Sequence, residues 1–489
     1  MADWLVILGI IFVYLIVVMS LGILSSRRRQ NSFEEYVNAS RNLGFFVNYF
    51  LLGASIFSAF AFLGGPGWAY SRGAASFYLL GYSVFGLLPW YIFGPKIMRL
   101  GQKFGFSTQA ELISARFKSK WLSIVIAVIS IMAFIQYICL QMKGSGYVLS
   151  TLTDGRIPFW AGALVAYGVV LIYVFWGGIR GVAWTNVFQG VFMISIAWFL
   201  GIYIPGKLYG GIGPMFQQIA QNDPQHLLIG EPGSHISYAY FSSAILVSAL
   251  GFLMWPHLFM RSFSVKNEAT IKQTIVAYPT FSVFLVPVLI IGFAGIHFAK
   301  PDAISAPDAI LPYMIRHMDF PVIIIGLFGA GTLAAAMSTQ DAVTHAASTI
   351  FTKDFYSVIV KHEPNEKELL WCIRGAVLVF GAVSYLIAIF GGQSLVRLLL
   401  GAYGTIVQFL PLVLALFYWK RATGAGAMMG LLTGVAVNYL IELEIIPKFM
   451  TLDIHSGMWG LLANCIVLVA VSLATPAQKP DHVRQFTLI

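Results

Sequence analysis

Residues 53–67 read Gly-Ala-Ser-Ile-Phe-Ser-Ala-Phe-Ala-Phe-Leu-Gly-Gly-Pro-Gly. The run is apolar enough to sit in lipid, yet it carries Gly53 early and Gly64, Gly65, Pro66 and Gly67 late. Proline removes a backbone donor, and glycine weakens a helix. A second apolar run repeats the pattern, with Gly251 followed by Trp255-Pro256-His257. Inside a membrane, freed carbonyls survive only beside protein, water or an ion.

The surrounding chain is a membrane protein by composition. Its 489 residues are 58% hydrophobic and 10% charged, with a mean hydropathy of +0.80. Globular chains carry about 25% charged residues. A helix needs roughly 20 apolar residues to cross a bilayer. Runs of that length recur throughout, which predicts one all-α, polytopic domain over 1–489. We place thirteen spans at 2–24, 45–71, 74–97, 121–150, 158–177, 184–206, 238–260, 274–298, 321–351, 371–391, 394–419, 423–441 and 457–475.

The first run lacks a basic segment before it, and Arg27-Arg28-Arg29 follow it, so it reads as a retained span rather than a cleaved signal. With the N-terminus outside, inside segments hold 22 of the 30 Lys and Arg and outside segments hold 6. Lys143 and Arg397 remain within spans. That asymmetry is the positive-inside rule. It predicts a multi-pass protein of the cytoplasmic membrane with a cytoplasmic C-terminus. It also explains the net charge of +10 without a nucleic-acid partner. Cys139, Cys372 and Cys465 are too scattered for a metal or disulfide framework.

The two interrupted spans, 2 and 7, lie five apart. Interrupted helices in corresponding positions of two halves point to inverted repeats, with a site at the midplane. Spans 2–6 (about 45–206) and 7–11 (about 238–419) form the expected repeats; spans 1, 12 and 13 are peripheral. The outer segment 207–237 shows no clear pattern and reads as a solvated loop or a lid. No phosphate-binding Gly-rich loop occurs, and the tail after span 13 is too short for a signalling domain.

Span 9 carries the densest polar cluster. After Ala334-Ala-Ala-Met come Ser338, Thr339, Gln340, Asp341, Thr344 and His345. At about 100° per residue, Ser338, Asp341 and His345 fall within about 60° on one face. Buried ionisable groups in a span mark an ion or substrate path. Hydroxyl and carbonyl oxygens suit alkali cations. Span 2 can add the carbonyls of Ala54 and Phe57, where Gly53 and Ser55 weaken the helix. The competing reading is that both hydroxyls bond back to carbonyls one turn earlier. His345 reads either as a packing histidine or as a proton-linked gate.

Lys143 is the other costly residue. It lies seven positions after Gln136, about 20° away on one face. It can neutralise a carboxylate near the midplane or snorkel to the outer interface. Arg397, at the outer start of span 11, favours snorkelling. The substrate pocket is expected where spans 2, 4, 7 and 11 meet, with Ser55, Ser58, Gln136, Phe252, Pro256 and Tyr403 as candidates beside Lys143.

Several stretches together resemble the sodium:solute symporter family. They are Arg41-Asn-Leu-Gly44, Phe62-Leu-Gly-Gly-Pro-Gly67, Ser107-Thr-Gln-Ala-Glu-Leu-Ile-Ser-Ala-Arg-Phe117, Trp176-Gly-Gly-Ile-Arg-Gly181, Trp184-Thr-Asn-Val-Phe-Gln189, Pro256-His257, Ala334–Thr339, Ser348-Thr-Ile-Phe-Thr-Lys-Asp-Phe-Tyr356 and Arg421–Gly430. The resemblance implies the leucine-transporter-type inverted-repeat fold and no enzyme activity. It implies a sodium site made by the carbonyls of Ala54, Phe57 and Ala335 and the hydroxyls of Ser338 and Thr339. In some members an aspartate stands where this chain has Asn186, and a serine where it has Asp341. That departure implies a second cation site, with Asp341, Asn186 and Ser338, whose carboxylate has changed walls. A proton site or salt bridge at Asp341 is the alternative.

By resemblance the chain is a sodium-coupled symporter that imports a small solute by alternating access. The Tyr137–Gly144 and Phe252–His257 runs look most like the monocarboxylate and pantothenate branches. A short monocarboxylate or related organic acid is therefore expected. A sodium/proline or other amino-acid symporter is the alternative; Ile56 replaces that branch's span-2 aspartate. An ion channel would need a filter or pore-lining ring, and a membrane sensor a signalling domain; neither pattern is present. Expected partners are the solute, sodium and membrane lipid, with no nucleic acid and no obligate protein partner.

Overall fold

The computed structural model describes residues 3–25, 32–229, 236–300, 304, 306–360, 362–391 and 395–487, with backbone alone for 395–400 and 448. Arg27–Arg29 and Gly392 lie outside the described residues, as does the side chain of Arg397. Among the described residues the protein is helical throughout, apart from a single isolated bridge between Leu43 and Val265. Among the described residues, nine helices are long and apolar enough to cross a membrane, or up to eleven if each of two bent pairs is one span. A break at Gly178 divides the Phe159–Tyr209 helix into spans 5 and 6. Span 3 is the separate pair Tyr78–Phe85 and Trp90–Phe104. With those two readings the thirteen expected crossings are accounted for.

The two bent pairs are the two spans whose sequences carry breaks. Span 2 runs as Phe45–Ile56 and then as a helical stretch that starts at Phe60 and continues past Gly73 to Phe85, the first part of span 3; the two sides of the break are bent by 53°. Its break falls at Phe57, where φ −87 and ψ 96 are extended. Gly64–Gly67 does not unwind, contrary to what its composition suggests. It passes from a wide π-type turn, Phe60–Gly64, into the helix Gly65–Arg72. Pro66 lies in the first turn of that helix, where a missing N–H costs little. Two side chains pin the break. Ser58 Oγ accepts from the Phe60 N–H at 3.2 Å, and Gln141 Oε1 of span 4 accepts from the Ala59 N–H at 2.9 Å. Gly53 permits a close crossing, since a Cβ there would stand 2.3 Å from the Phe281 ring.

Span 7 runs as Tyr238–Phe252 and Pro256–Ser264, bent by 42°. Pro256 again opens the second segment. Gly178 adopts φ 50 and ψ −156, a backbone state open to glycine, and so turns span 5 into span 6.

Span 9, Val322–Ile350, is the central helix: every residue from Phe328 to Ile350 is buried. It packs against spans 1, 2, 4, 5, 6 and 10. Spans 12 and 13, Gly424–Glu442 and Ser456–Ala474, pack mainly on each other. Phe12, Trp121, Val276 and Phe390 lie exposed on the outer surface of the bundle, where a bilayer covers apolar side chains.

Short helices lie outside the spans. Residues 207–229, read from the sequence as a loop or a lid, hold regular structure. They contain the helix Ile212–Asn222, which buries Met215 and Ile219, two apolar residues one turn apart. The helix Gln109–Phe117 starts at Thr108 with a complete capping box to Glu111. The terminal helix Pro480–Thr487 docks beside it, with His482 on the Arg116 carbonyl at 3.0 Å and Phe486 stacked on Phe104.

Candidate cation and substrate sites

The span-2 break and span 9 meet at Ser338. Its hydroxyl donates to the Ala54 carbonyl at 2.9 Å and contacts the Ala335 carbonyl at 3.2 Å. The last ladder bond of the first half of span 2 joins the Phe57 N–H to Gly53 O at 3.3 Å. Ala54 and Phe57 thus present carbonyls at the helix end, where orphan acceptors are expected. Thr339 Oγ1 is buried with no hydrogen-bond partner. A fully buried orphan hydroxyl costs free energy. Two hydroxyls and several carbonyls form an oxygen-only donor set, which fits sodium. Bonding back to a carbonyl one turn earlier holds for Ser338 in part and does not hold for Thr339.

Asp341 lies on the next face of span 9. Tyr173 donates to its Oδ2 at 2.7 Å and Thr185 does so at 3.1 Å. Asn186 Nδ2 reaches Oδ1 at 3.0 Å and Oδ2 at 3.1 Å, and also the Val182 carbonyl at 2.7 Å. Asn186 and Asp341 are therefore direct neighbours. Ser338 stands instead with Ala54 and Ala335 and has no hydrogen bond to Asp341 among the described residues. Nearby, Gln189 Nε2 donates to Tyr14 at 3.0 Å. Asn186 Oδ1 and Gln189 Oε1 are buried without partners. Sequence reasoning missed Tyr173, Thr185 and Tyr14. Thr185 had a signal, since it adjoins Asn186; a tyrosine in an apolar run has none.

Towards the breaks, aromatic rings enclose the region where spans 2, 3, 4, 7 and 11 approach. Tyr82 meets Phe252 at 5.7 Å and Tyr403 at 5.5 Å between ring centroids. Trp255 meets Tyr403 at 5.5 Å and Tyr137 at 4.9 Å. Phe252 and Tyr403 thus come together as expected. Tyr82, Tyr137 and Trp255 are additions. Tyr137 donates to the Ile56 carbonyl at 3.3 Å, which places it at the span-2 break.

The remaining candidates divide. Ser58 caps the second half of span 2, and Pro256 opens the second half of span 7. Ser55 is turned back to the Leu52 carbonyl at 3.0 Å. Gln136 keeps a buried Oε1 without a partner. Lys143 is buried. The face of span 4 that meets the break carries Tyr137, Gln141 and Gly144. Lys143 stands about 100° round from Gly144, on the face of Cys139, whose thiol reaches the Ser384 carbonyl of span 10 at 3.2 Å. His345 bonds the Tyr36 carbonyl through Nε2 at 2.9 Å and stacks on the Tyr36 ring.

The sequence profile of the sodium:solute symporter family matches residues 36–434. An uncharacterised symporter, YhjB, of Bacillus subtilis (strain 168) is 32% identical over 479 residues, covering 96% of this chain and 97% of that protein. A monocarboxylate transport permease protein of Rhizobium johnstonii is 25% identical, covering 97% and 98%. A sodium/proline symporter of Staphylococcus aureus is also 25% identical, covering 94% and 90%. Among solved structures, a substrate-bound, outward-open Na+-coupled sialic acid symporter superposes with a TM-score of 0.80. It is 20% identical and covers 97% of this chain and 99% of its own. The chain therefore belongs to the sodium:solute symporter family. It is a multi-pass membrane transporter rather than an enzyme, and sodium is its coupling ion.

Proposed function

We propose that this member of the sodium:solute symporter family couples inward sodium flow to uptake of a short monocarboxylate. The observation that carries the sodium assignment is the meeting of Ser338 with Ala54, next to the orphan hydroxyl of Thr339. A cation held by Ala54, Phe57, Ala335, Ser338 and Thr339 ties the span-2 break to span 9. Its departure removes that tie and frees the two spans to separate. Spans 2–6 and 7–11 act as inverted repeats that rock about the site. The N-terminus lies outside and the C-terminus in the cytoplasm, as the charge asymmetry favours.

The substrate sits among Tyr82, Tyr137, Phe252, Trp255 and Tyr403, a mostly apolar site suited to a short chain. Ser58 and Gln136 supply polar contacts, and the Lys143 ammonium balances the carboxylate from the face beside that pocket. Asp341 with Asn186 is the candidate second cation site, which an ion enters by displacing the donors that hold the carboxylate. Proline is the second reading, favoured by the equal identity to a sodium/proline symporter. Ile56, in place of the aspartate of the proline branch, counts against it.

The test is uptake into proteoliposomes under an inward sodium gradient, with labelled acetate, propionate, pyruvate, lactate and proline. Sodium-stimulated, saturable uptake of one of the four acids is expected. Uptake of proline alone overturns the monocarboxylate reading. Equal uptake with potassium in place of sodium overturns the sodium site.

A further inference from the structure

Beyond the break in span 7 lies a cation with no counterion in contact. Arg261 is 2% exposed. Its Nε and Nη2 have no hydrogen-bond partner, and the side chain makes no ion pair among the described residues. The surface explanation for a basic residue at a span end is snorkelling into the interface. Burial excludes that here. A desolvated guanidinium without a partner is far more costly than an orphan amide, so the position calls for an anion.

Two further buried groups at or near the span-7 break lack hydrogen-bond partners. His257, one turn earlier, is 1% exposed, and both ring nitrogens lack partners. Gln109 of the Gln109–Phe117 helix is buried. Its amide nitrogen has only the Met254 sulfur at 3.9 Å, and its Oε1 has nothing. His257 also abuts the aromatic pocket. Its ring lies 5.7 Å from Trp255 and 6.2 Å from Tyr137. Arg261 stands within electrostatic range of Asp341, His257 and His345.

We propose that Arg261 and His257 form an anion subsite on the inner half of span 7, which receives the carboxylate of the solute after it leaves the aromatic pocket. The subsite rests on the reading that the solute carries a carboxylate. The guanidinium supplies a planar pair of donors matched to a carboxylate. The imidazole supplies a donor between the pocket and Arg261. The subsite is used from the cytoplasmic side and does not select the solute from outside.

The experiment compares the two faces. Full-length protein is reconstituted in one orientation, and labelled pyruvate transport is measured inward and outward at saturating sodium. Arg261→Gln should raise the half-saturating pyruvate concentration at the inner face by about tenfold or more, the scale of a lost charge-assisted contact. The outer-face value should change by less than about threefold, because the pocket remains intact. Arg261→Lys should recover much of the loss. Replacing chloride by gluconate should leave the face difference in place; its disappearance would assign the subsite to an inorganic anion and overturn the proposal. Equal effects at both faces, or none, would overturn it too.

If Arg261→Gln does not reach the membrane, His257→Gln carries the same comparison, with a rise expected that is larger at the inner face than at the outer. The underlying reading fails separately: an unmutated protein that carries no carboxylate overturns both, whereas carboxylate transport indifferent to Arg261 and His257 overturns the subsite only.

Discussion

Ser338 and Asp341 are three residues apart on one buried helix, yet their surroundings differ in kind. Around Ser338 and Thr339 the oxygens outnumber the donors, and one hydroxyl is left without a partner. Around Asp341 each carboxylate oxygen already accepts from Tyr173, Thr185 or Asn186. On the proposed reading a cation completes the first region. The second is closed by its own hydrogen bonds, so a cation entering there must displace donors. The difference separates a site that gains its stability from the ion from one that holds together without it.

The comparison is broken most severely by Ser338→Ala with Thr339→Ala. Both oxygens are removed from the first region while the backbone carbonyls stay. The sodium concentration for half-maximal uptake should rise by about a hundredfold, since each lost ligand is a lost hydrogen-bond-scale contact to a charge of about 1.5–3 kcal/mol. Membrane insertion should be retained. Unchanged sodium dependence would remove sodium from this site.

Lys143→Gln comes next. It should weaken substrate binding by about a hundredfold if the ammonium faces the carboxylate in a dry site. Sodium binding without substrate should barely move, so the variant separates the solute from the ion regions. Lys143→Arg should be intermediate. Calorimetry at saturating sodium reads substrate binding by both variants and a sodium titration without substrate reads the ion; a change under about threefold in substrate binding for the glutamine variant would mean that the lysine plays no part in recognition.

Asp341→Asn probes the closed region. The substitution leaves three donors facing a weaker acceptor and sets one amide NH2 against another, at a cost of about 1–3 kcal/mol. If a second cation binds there, the sodium Hill coefficient of uptake should fall towards one. Asn186→Asp combined with Asp341→Ser should restore it, because the carboxylate returns to the opposite wall of the same contact. A Hill coefficient near one before any substitution would leave Asp341 as a structural hub.

The sequence exposed the parts of this arrangement that are local. Gly53, Ser55, Pro66, Gly251 and Pro256 announced that spans 2 and 7 are interrupted, because glycine and proline act on their own backbone. They did not fix where the chain unwinds. The Gly64–Gly67 run remained helical, and the break fell at Phe57, held by Gln141 from span 4. The position of Asp341 opposite Asn186 was legible only through the resemblance to relatives. Tyr173, Tyr82 and Trp255 were not legible at all. An aromatic in a lipid-length run looks the same whether it faces lipid, core or a site, and only the packing of distant spans decides. The same holds for Arg261, which counts as an inside charge in the sequence and proves to be buried.

The smallest effect belongs outside the membrane and sets the scale against which the buried regions are judged. Asp154, in the loop after span 4, accepts from Arg316 Nε at 2.9 Å in a two-pronged pair. The hydrogen bond from Arg316 holds its carboxyl below the ordinary aspartate value, opposed by slight desolvation and aided by the charges of Arg316, Arg156 and His317. A depressed folded value means that the pair stabilises the fold above the ordinary aspartate range. That contribution is lost as pH falls through the depressed value. Solvent screens the pair, so its worth is about 0–1 kcal/mol. Asp154→Asn should therefore lower the melting temperature in detergent only slightly at pH 7. The gap between variant and unmutated protein should close as the pH is taken below the depressed value, where the carboxylate is protonated in both folded and unfolded chains. A gap that persists at that pH would show that the loop depends on the shape of Asp154 rather than on its charge. A drop as large as that of Asp341→Asn would erase the distinction between a screened surface pair and a carboxylate closed inside the bundle.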